Sequence, residues 1–359
     1  MMNQVIDVIE PTLEDETGHC YTFVAGLCGA AQGRPLRLWI GKHADVGFAP
    51  ARVMIENHFS RRTRFLQAFL LYRRLLRGDG RIFVATARRT DLSLFDWAAR
   101  GRIPPDKVYL FFHWFRDSVK RRAYLARIAE RQPGLVILGA TQSVVDVFRA
   151  SGFENAKTVP YPITPLANGD FVEPAFGHLL FAGAARTDKG FGKVVGLVEL
   201  LARRGASIPI KIQSSAKHYG KYELAIRDDL SRLAKTNYHY LETFSDTLTE
   251  PAYRALFSCG ICIQPYDVEE FADRVSGVTL DALSAGCPVV TVKGTWMARV
   301  VEDSAAGVVV EEAHPGALLS AVQTIIGDYP RYCRNAYEAG QVLQVENSAD
   351  HLFRVLVSS

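Results

Sequence analysis

Apolar residues fall along this chain in two alternating patterns. Short uninterrupted runs, Val5 to Ile9, Leu36 to Ile40, Ile82 to Ala85, Val108 to Phe112 and Leu135 to Leu138, are separated by longer amphipathic stretches. A strand that is apolar at every position is buried on both faces, and the helices between such strands supply the covers. The pattern therefore predicts a doubly wound α/β domain on a parallel sheet. Between Val159 and Pro174 it lapses into VPYPITPLANGDFVEP, where four prolines and a glycine oppose any regular element.

The alternation then restarts. Strands are expected at His178 to Ala182, Ile208 to Gln213, Tyr238 to Leu241, Ile261 to Gln264, Pro288 to Val292 and Gly307 to Val310. Helices are expected at Phe191 to Arg204, Glu223 to Ala234, Glu250 to Phe257 and Gly277 to Ala285. The chain thus reads as two Rossmann-like domains, residues 1–165 and 178–340, joined by a linker at 166–177. The remaining 341–359 is expected to be a helix that crosses back to the first domain. Ligands of such open sheets bind beyond the carboxyl ends of the strands, so the site is expected in a cleft between two facing domains.

Composition narrows the class. With 48% hydrophobic and 22% charged residues, the chain is an ordinary globular protein, not a disordered one. Six scattered cysteines do not make a disulfide scaffold, and Cys259 and Cys262 read as core thiols because no second pair follows at zinc spacing. The acidic start, with Glu10, Glu14, Asp15 and Glu16, is unlike a secretory signal, and no run is long enough to span a bilayer, so a cytoplasmic protein is expected.

The net charge of +4 conceals an asymmetry: residues 1–170 hold 24 Lys and Arg against 16 Asp and Glu, whereas 171–359 hold 18 against 22. Much of the basic excess lies between Arg61 and Arg81, whose clusters flank the apolar stretch Phe65 to Leu71. That segment reads either as a solvated helix with one buried face or as an interfacial helix drawn to anionic lipid, which would place the protein at the inner face of a membrane. Nucleic acid is not expected as a partner, because no reading module accompanies the charge.

Three loops of the second half lie where strands end. In the first, Gly183 to Gly190, Gly183 lets the chain leave its strand, and Arg186 and Lys189 set two cations beside a helix start that favours an anion. The second runs from Tyr266 to Asp281. Ser276, Gly277 and Val278 open a helix there, Arg274 adds a cation, and the carboxylates Asp273 and Asp281 are eight residues apart. Small residues admit a phosphate to the amides, and a carboxylate two turns into the helix can accept hydrogen bonds from ribose. The third, Lys293-Gly294-Thr295-Trp296, adds a glycine turn and an aromatic wall.

Taken in order, these features make the second half similar to the donor domain of the retaining GT-B glycosyltransferases. That family commonly carries a Gly-x-x-x-x-x-Lys-Gly loop with an Arg, then a Glu-x7-Glu motif running into a helix that ends Ala-x-Gly-x-Pro-Val-Val. The corresponding positions here are Gly183, Arg186, Lys189, Gly190, Asp273, Asp281, Gly286 and Pro288, with Gly294 and Val300 to Gly307 also in register. Two departures stand out. Both acidic positions hold Asp, which leaves Glu270 as an alternative to Asp273 near the sugar, and the loop arginine lies three residues after Gly183. In the first half, Thr17-Gly18-His19 resembles the family's glycine loop near the donor phosphates. His113, after the strand ending at Phe112, resembles a histidine that faces the reacting sugar, though packing among aromatic rings accounts for it equally.

The resemblance implies transfer of a sugar, with retention, from a nucleotide diphosphate sugar to a hydroxyl of a glycan or lipid-linked acceptor. Polysaccharide or glycolipid assembly is the implied setting. Arg186 and Lys189 would stabilise the departing diphosphate, Asp273 would hold the sugar, Asp281 the ribose, and His113 the sugar or acceptor. No aspartate-rich metal motif is evident, so metal independence and no cofactor are expected. A nucleotide-sugar epimerase of the same architecture and a non-catalytic sugar-nucleotide-binding subunit are the competing readings.

Overall fold

The computed structural model describes residues 4–16, 18–48, 52–163, 171, 174–214, 224–246 and 248–358. The chain divides into two compact units, Met1–Pro165 with Glu346–Ser359, and Leu166–Val345.

The first unit runs β1 (Ile6–Ile9), α1 (Gly18–Ala30), β2 (Leu36–Gly41), β3 (Val53–Phe59), α2 (Arg64–Leu75), β4 (Arg81–Val84), α3 (Arg89–Ala98), β5 (Val108–Phe112), α4 (Val119–Arg131), β6 (Val136–Gly139), α5 (Gln142–Arg149) and β7 (Ala156–Thr158). Its seven strands are ordered β3-β2-β1-β4-β5-β6-β7, and every pairing is parallel. Alternate residues of each strand serve opposite faces. Ile82, Val84, Leu110 and Phe112 join the core made with α2 to α5, while Phe83 and Phe111 meet Phe23 of α1 at ring distances of 6.3 and 5.2 Å.

The second unit continues with β8 (His178–Phe181), a 3-10 turn at Thr187–Lys189, α6 (Phe191–Arg203), β9 (Ile210–Gln213), α7 (Leu224–Lys235), β10 (Leu241–Phe244), α8 (Glu250–Ala255), β11 (Gly260–Gln264), α9 (Val268–Phe271), α10 (Gly277–Ser284), β12 (Val289–Val292), α11 (Trp296–Ser304), β13 (Gly307–Val310), α12 (Pro315–Gly327) and α13 (Tyr329–Glu346). Its sheet, β10-β9-β8-β11-β12-β13, is also wholly parallel. In both sheets the strand order reverses beside the first strand, between β1 and β4 and between β8 and β11. In doubly wound sheets a ligand crevice opens at that point.

Two doubly wound α/β units were expected, but several details differ. The strands β3 and β7 were missed. In β3, Met54 to Asn57 are exposed, and β7 is only Ala-Lys-Thr, so neither carries a buried apolar run. The strand expected at Tyr238 to Leu241 begins at Leu241. The Tyr238 ring is instead buried, and its hydroxyl donates to Ile208 O at 2.6 Å, holding a turn there.

At the C-terminus, α13 stays with the second unit through Val345, later than the expected boundary at 340. The reason is close backbone packing: a Cβ on Gly340 would stand 2.4 Å from Leu283 O. The element that joins the first unit is α14 (Ala349–Val357), which packs on α1 where Gly26 meets Ala349. Asn347 fixes the turn between the two helices, its side chain donating to Tyr161 O at 2.6 Å. Most of the expected linker, 166–170 and 172–173, lies outside the described residues, but Phe171 and Phe176 already pack on Tyr337 and Tyr329 of α13.

Candidate functional site

The reversal between β8 and β11 gathers the second unit's candidate residues. β8 ends in Ala182 and Gly183, whose φ of +99° turns the chain out of the sheet. The Gly183 amide donates to Gln213 Oε1 at 2.8 Å, tying the turn to the end of β9. Four residues after Arg186, Gly190 adopts φ +66° just before α6. Only glycine fits there, because a Cβ would lie 2.1 Å from Pro265 O in the loop after β11. The Asp267 amide donates to Asp188 O at 2.9 Å, so the two loops are joined by backbone as well.

The side chains converge on Asp188. Arg186 donates to it through a two-pronged contact, with Nε to Oδ1 at 2.8 Å, and Arg274 Nη1 lies 3.7 Å from Oδ2. The Lys189 ammonium is 5.5 Å from the centre of the Tyr266 ring and 2.6 Å from where a Gly183 Cβ would be. Burial, with the Arg186 guanidinium beside it, lowers Lys189 to about 8. Arg274 is lowered for the same two reasons, burial first. Three cations thus surround one carboxylate in a partly dry place, and an added anion would relieve their repulsion. The Tyr266 ring is buried beneath them, its hydroxyl close to Ser276 but without a well-formed hydrogen bond.

The start of α10 reaches the same place, since Val278 Cγ2 is 3.9 Å from the Gly183 Cβ position. Ser276 caps this helix, its Oγ accepting from the Thr279 amide at 3.3 Å, and a Cβ on Gly277 would meet open space. One turn on, Asp281 accepts from the buried Tyr253 hydroxyl at 3.1 Å, which fixes the carboxylate's orientation. Asp273 is held by Arg299 at 3.2 Å. Glu270 stands on α9 near enough to Arg274 to support its charge, so of the two acids it is Glu270 that borders the cation cluster. Trp296 opens α11 and is partly buried against the core, while Gly294 (φ +84°) meets Val268 of α9.

The first unit's candidates are placed differently. Gly18 and His19 are not in a loop: they are the first residues of α1, and their side chains, like Thr17, lie outside the described residues. The ring of His113 sits among Phe23, Phe111 and Tyr161 at 5.0 to 5.6 Å, and its Nε2 is 2.9 Å from Ala85 O. A carbonyl partner makes Nε2 the protonated nitrogen. This is the aromatic packing that the sequence left open as one explanation of His113.

Sequence reasoning overlooked Asp188, Tyr266, Gln213 and Tyr253. Asp188 had a signal, lying between Arg186 and Lys189, whereas Tyr253 is 28 residues from Asp281 and only the fold brings them together. Among the described residues, no group of three or more acidic, histidine or cysteine side chains could hold a metal.

Residues 178–328 match the model of the family Glycosyl transferases group 1. No curated protein sequence matches the chain. Among solved structures, WaaG, a glycosyltransferase involved in lipopolysaccharide biosynthesis, aligns over 99% of this chain and 100% of its own with a TM-score of 0.66 and 12% identity. A sucrose-phosphate synthase from Thermosynechococcus elongatus aligns over 99% of each chain (TM-score 0.69, 16% identity). HepE from Anabaena, solved in complex with UDP-glucose, aligns over 99% of this chain and 98% of its own (0.65, 16%). The segment 178–328 is therefore similar to the glycosyl transferases group 1 family, and the chain has the GT-B fold of these solved structures.

Proposed function

We propose that the protein transfers a sugar from a nucleoside diphosphate sugar to a hydroxyl acceptor. The observation that carries this reading is the convergence of Arg186, Lys189 and Arg274 on Asp188, at the β8 and β11 reversal where α6 and α10 begin. A departing diphosphate gains negative charge as the glycosidic bond breaks, and fixed cations in a dry site stabilise that charge most. The same cations do the work that a divalent ion does elsewhere, so turnover is expected to survive EDTA. Asp281, held by Tyr253, suits the ribose, and Asp273 or Glu270 the sugar. HepE, of the same fold, was solved with UDP-glucose, which makes uridine nucleotides the first probes.

Retention and a glycolipid or polysaccharide acceptor complete the reading. A membrane-bound acceptor is supported by the first unit's surface. On α2, Leu66 and Leu70 are 61% and 55% exposed, with Arg73 further along the same helix and Arg77 just past its end. Met54 and Ile55 of the neighbouring β3 are exposed as well. Apolar side chains rimmed by arginine suit the face of an anionic bilayer. No described helix is long and apolar enough to cross a membrane.

The test is incubation with a panel of nucleotide sugars, with and without lipid and glycan acceptors, following nucleoside diphosphate release. Acceptor-dependent release supports transfer, with the anomeric configuration of the product reporting on retention. Isomerised donor would establish epimerisation instead, and binding without turnover would establish a non-catalytic subunit.

A further inference from the structure

The two sheets end in four edge strands, β3, β7, β10 and β13, and three of them are blunted. An unpaired edge invites another strand, and charge, brevity or a break in register discourages one. In β3, Glu56 is exposed and the register with β2 shifts at Gly41; β7 has only three residues with an exposed lysine, Lys157; β10 carries the exposed Glu242. In contrast, β13 reads Gly-Val-Val-Val and pairs with β12 in unbroken register. The carbonyls of Ala306 and Val310 accept from the Val289 and Lys293 amides on the β12 side, at 3.1 and 2.9 Å. Backbone groups alternate in direction along a strand, so Gly307 and Val309 turn theirs to the open edge. Beside that edge, Val308 and Val310 share a groove of about 480 Å³ with Ala317, Ser320, Ala321 and Thr324 of α12.

Charge selects what the edge can accept. Glu311 and Glu312 follow β13, both exposed, and the Glu311 side chain is 78% exposed. At the other end, α11 leads into β13 with Glu302 and Asp303 exposed and no basic residue in its last turn, where the helix dipole adds negative charge. Lys293, 2.6 Å from Glu311, offsets one of these charges. A second copy of this chain, paired edge to edge about a two-fold axis, would set Glu311 and Glu312 of each copy toward the acidic end of α11 in the other. A segment with lysine or arginine at its two ends meets opposite charge at both.

We infer that the open edge of β13 and its groove with α12 dock an extended basic segment of another protein, which joins the six-stranded sheet as a further strand. Main-chain hydrogen bonds to Gly307 and Val309 hold the segment, and its alternate side chains enter the groove. Nothing in this inference rests on sugar transfer.

The experiment uses the full chain and fluorescence anisotropy with labelled heptapeptides. The first is Lys-Val-Thr-Val-Thr-Val-Lys, and the second has glutamate in place of both lysines. Two further forms of the lysine peptide are N-methylated, one at its valines and one at its threonines. The lysine peptide should bind saturably and about ten-fold more tightly than the glutamate peptide. One N-methylated form should keep that affinity and the other lose about ten-fold, because only alternate amides of an added strand face β13. Ser320→Arg, at an exposed position of α12, fills the groove with a cation and should weaken the lysine peptide about ten-fold at an unchanged melting temperature. Any of four results would overturn the inference: no saturable binding of the lysine peptide, equal affinities of the two N-methylated forms, Ser320→Arg binding as tightly as the parent chain, or a dimer in ultracentrifugation that Ser320→Arg dissociates.

Discussion

The two strand-order reversals are equivalent points in sheets of the same order, yet they carry opposite chemistry. Between β8 and β11 the chain gathers Arg186, Lys189 and Arg274 about one carboxylate, whereas between β1 and β4 it buries Glu10 and Asp91 under hydroxyls. The charge of the surroundings runs the other way, since the cation cluster lies in the acidic half of the sequence and the buried acids in the basic half. Topology fixes where a ligand is met. A few loop residues decide what it is, and net charge reports on neither, because most charges stay on solvated faces.

The sharpest way to break this contrast is to remove the cations. Arg186→Ala with Lys189→Ala should weaken UDP binding by about 3 kcal/mol, roughly a hundred-fold, without shifting the melting temperature downward. Glu10→Gln, in the other unit, should leave UDP affinity unchanged. Equal losses in the two variants, read by calorimetry, would erase the distinction. A comparable effect, on stability this time, is expected at Gly190. Alanine there requires φ +66° and collides with Pro265 O, so Gly190→Ala should cost about 2–4 kcal/mol in denaturant unfolding.

A smaller effect sharpens the assignment within the proposed donor site. A ribose contact exists in both the ground and transition states, so Asp281→Asn should raise the donor KM about ten-fold and change kcat little. Tyr253→Phe, which only frees that carboxylate to turn, should raise KM by less. Loss confined to kcat in either variant would move Asp281 away from the ribose. The smallest effect concerns the surface of the first unit. Replacing Arg73 and Arg77 by Gln should reduce co-sedimentation with anionic vesicles a few-fold and leave donor hydrolysis by water unaltered. Arg74 is a poorer choice, because its guanidinium lies 4.6 Å over the Trp39 ring and helps to pack it. Equal sedimentation with neutral and anionic vesicles would reduce α2 to an ordinary surface helix.

How much of this the sequence showed depended on whether a residue's role was local. Gly183, Lys189 and Gly190 were legible because a turn, a cation and a helix start occur within eight residues of one another. Strands buried on both faces were legible for the same reason, whereas the edge strand β3, with Glu56 and Asn57 in solvent, lacked that signature. Roles made by distant contacts did not show. Nothing near Tyr253 in sequence indicates that it orients Asp281, and nothing near Gly18 indicates that α1 begins there. Glu10 was noted only as part of an acidic start, because its burial depends on Thr86, 76 residues away.

The central claim is that the β8 and β11 reversal receives a diphosphate through Lys189 and its neighbours. Burial lowers Lys189 to about 8. As pH rises through that value the free protein loses the proton, and a bound diphosphate, by favouring the ammonium, draws one back. UDP titrated calorimetrically at pH 8.5, in two buffers of different ionisation enthalpy, should therefore bind more weakly than at pH 7 and take up a substantial fraction of a proton. No uptake is expected at pH 7 or in Lys189→Ala. An affinity and proton balance that stay the same from pH 7 to 8.5, and survive Lys189→Ala, would contradict the account.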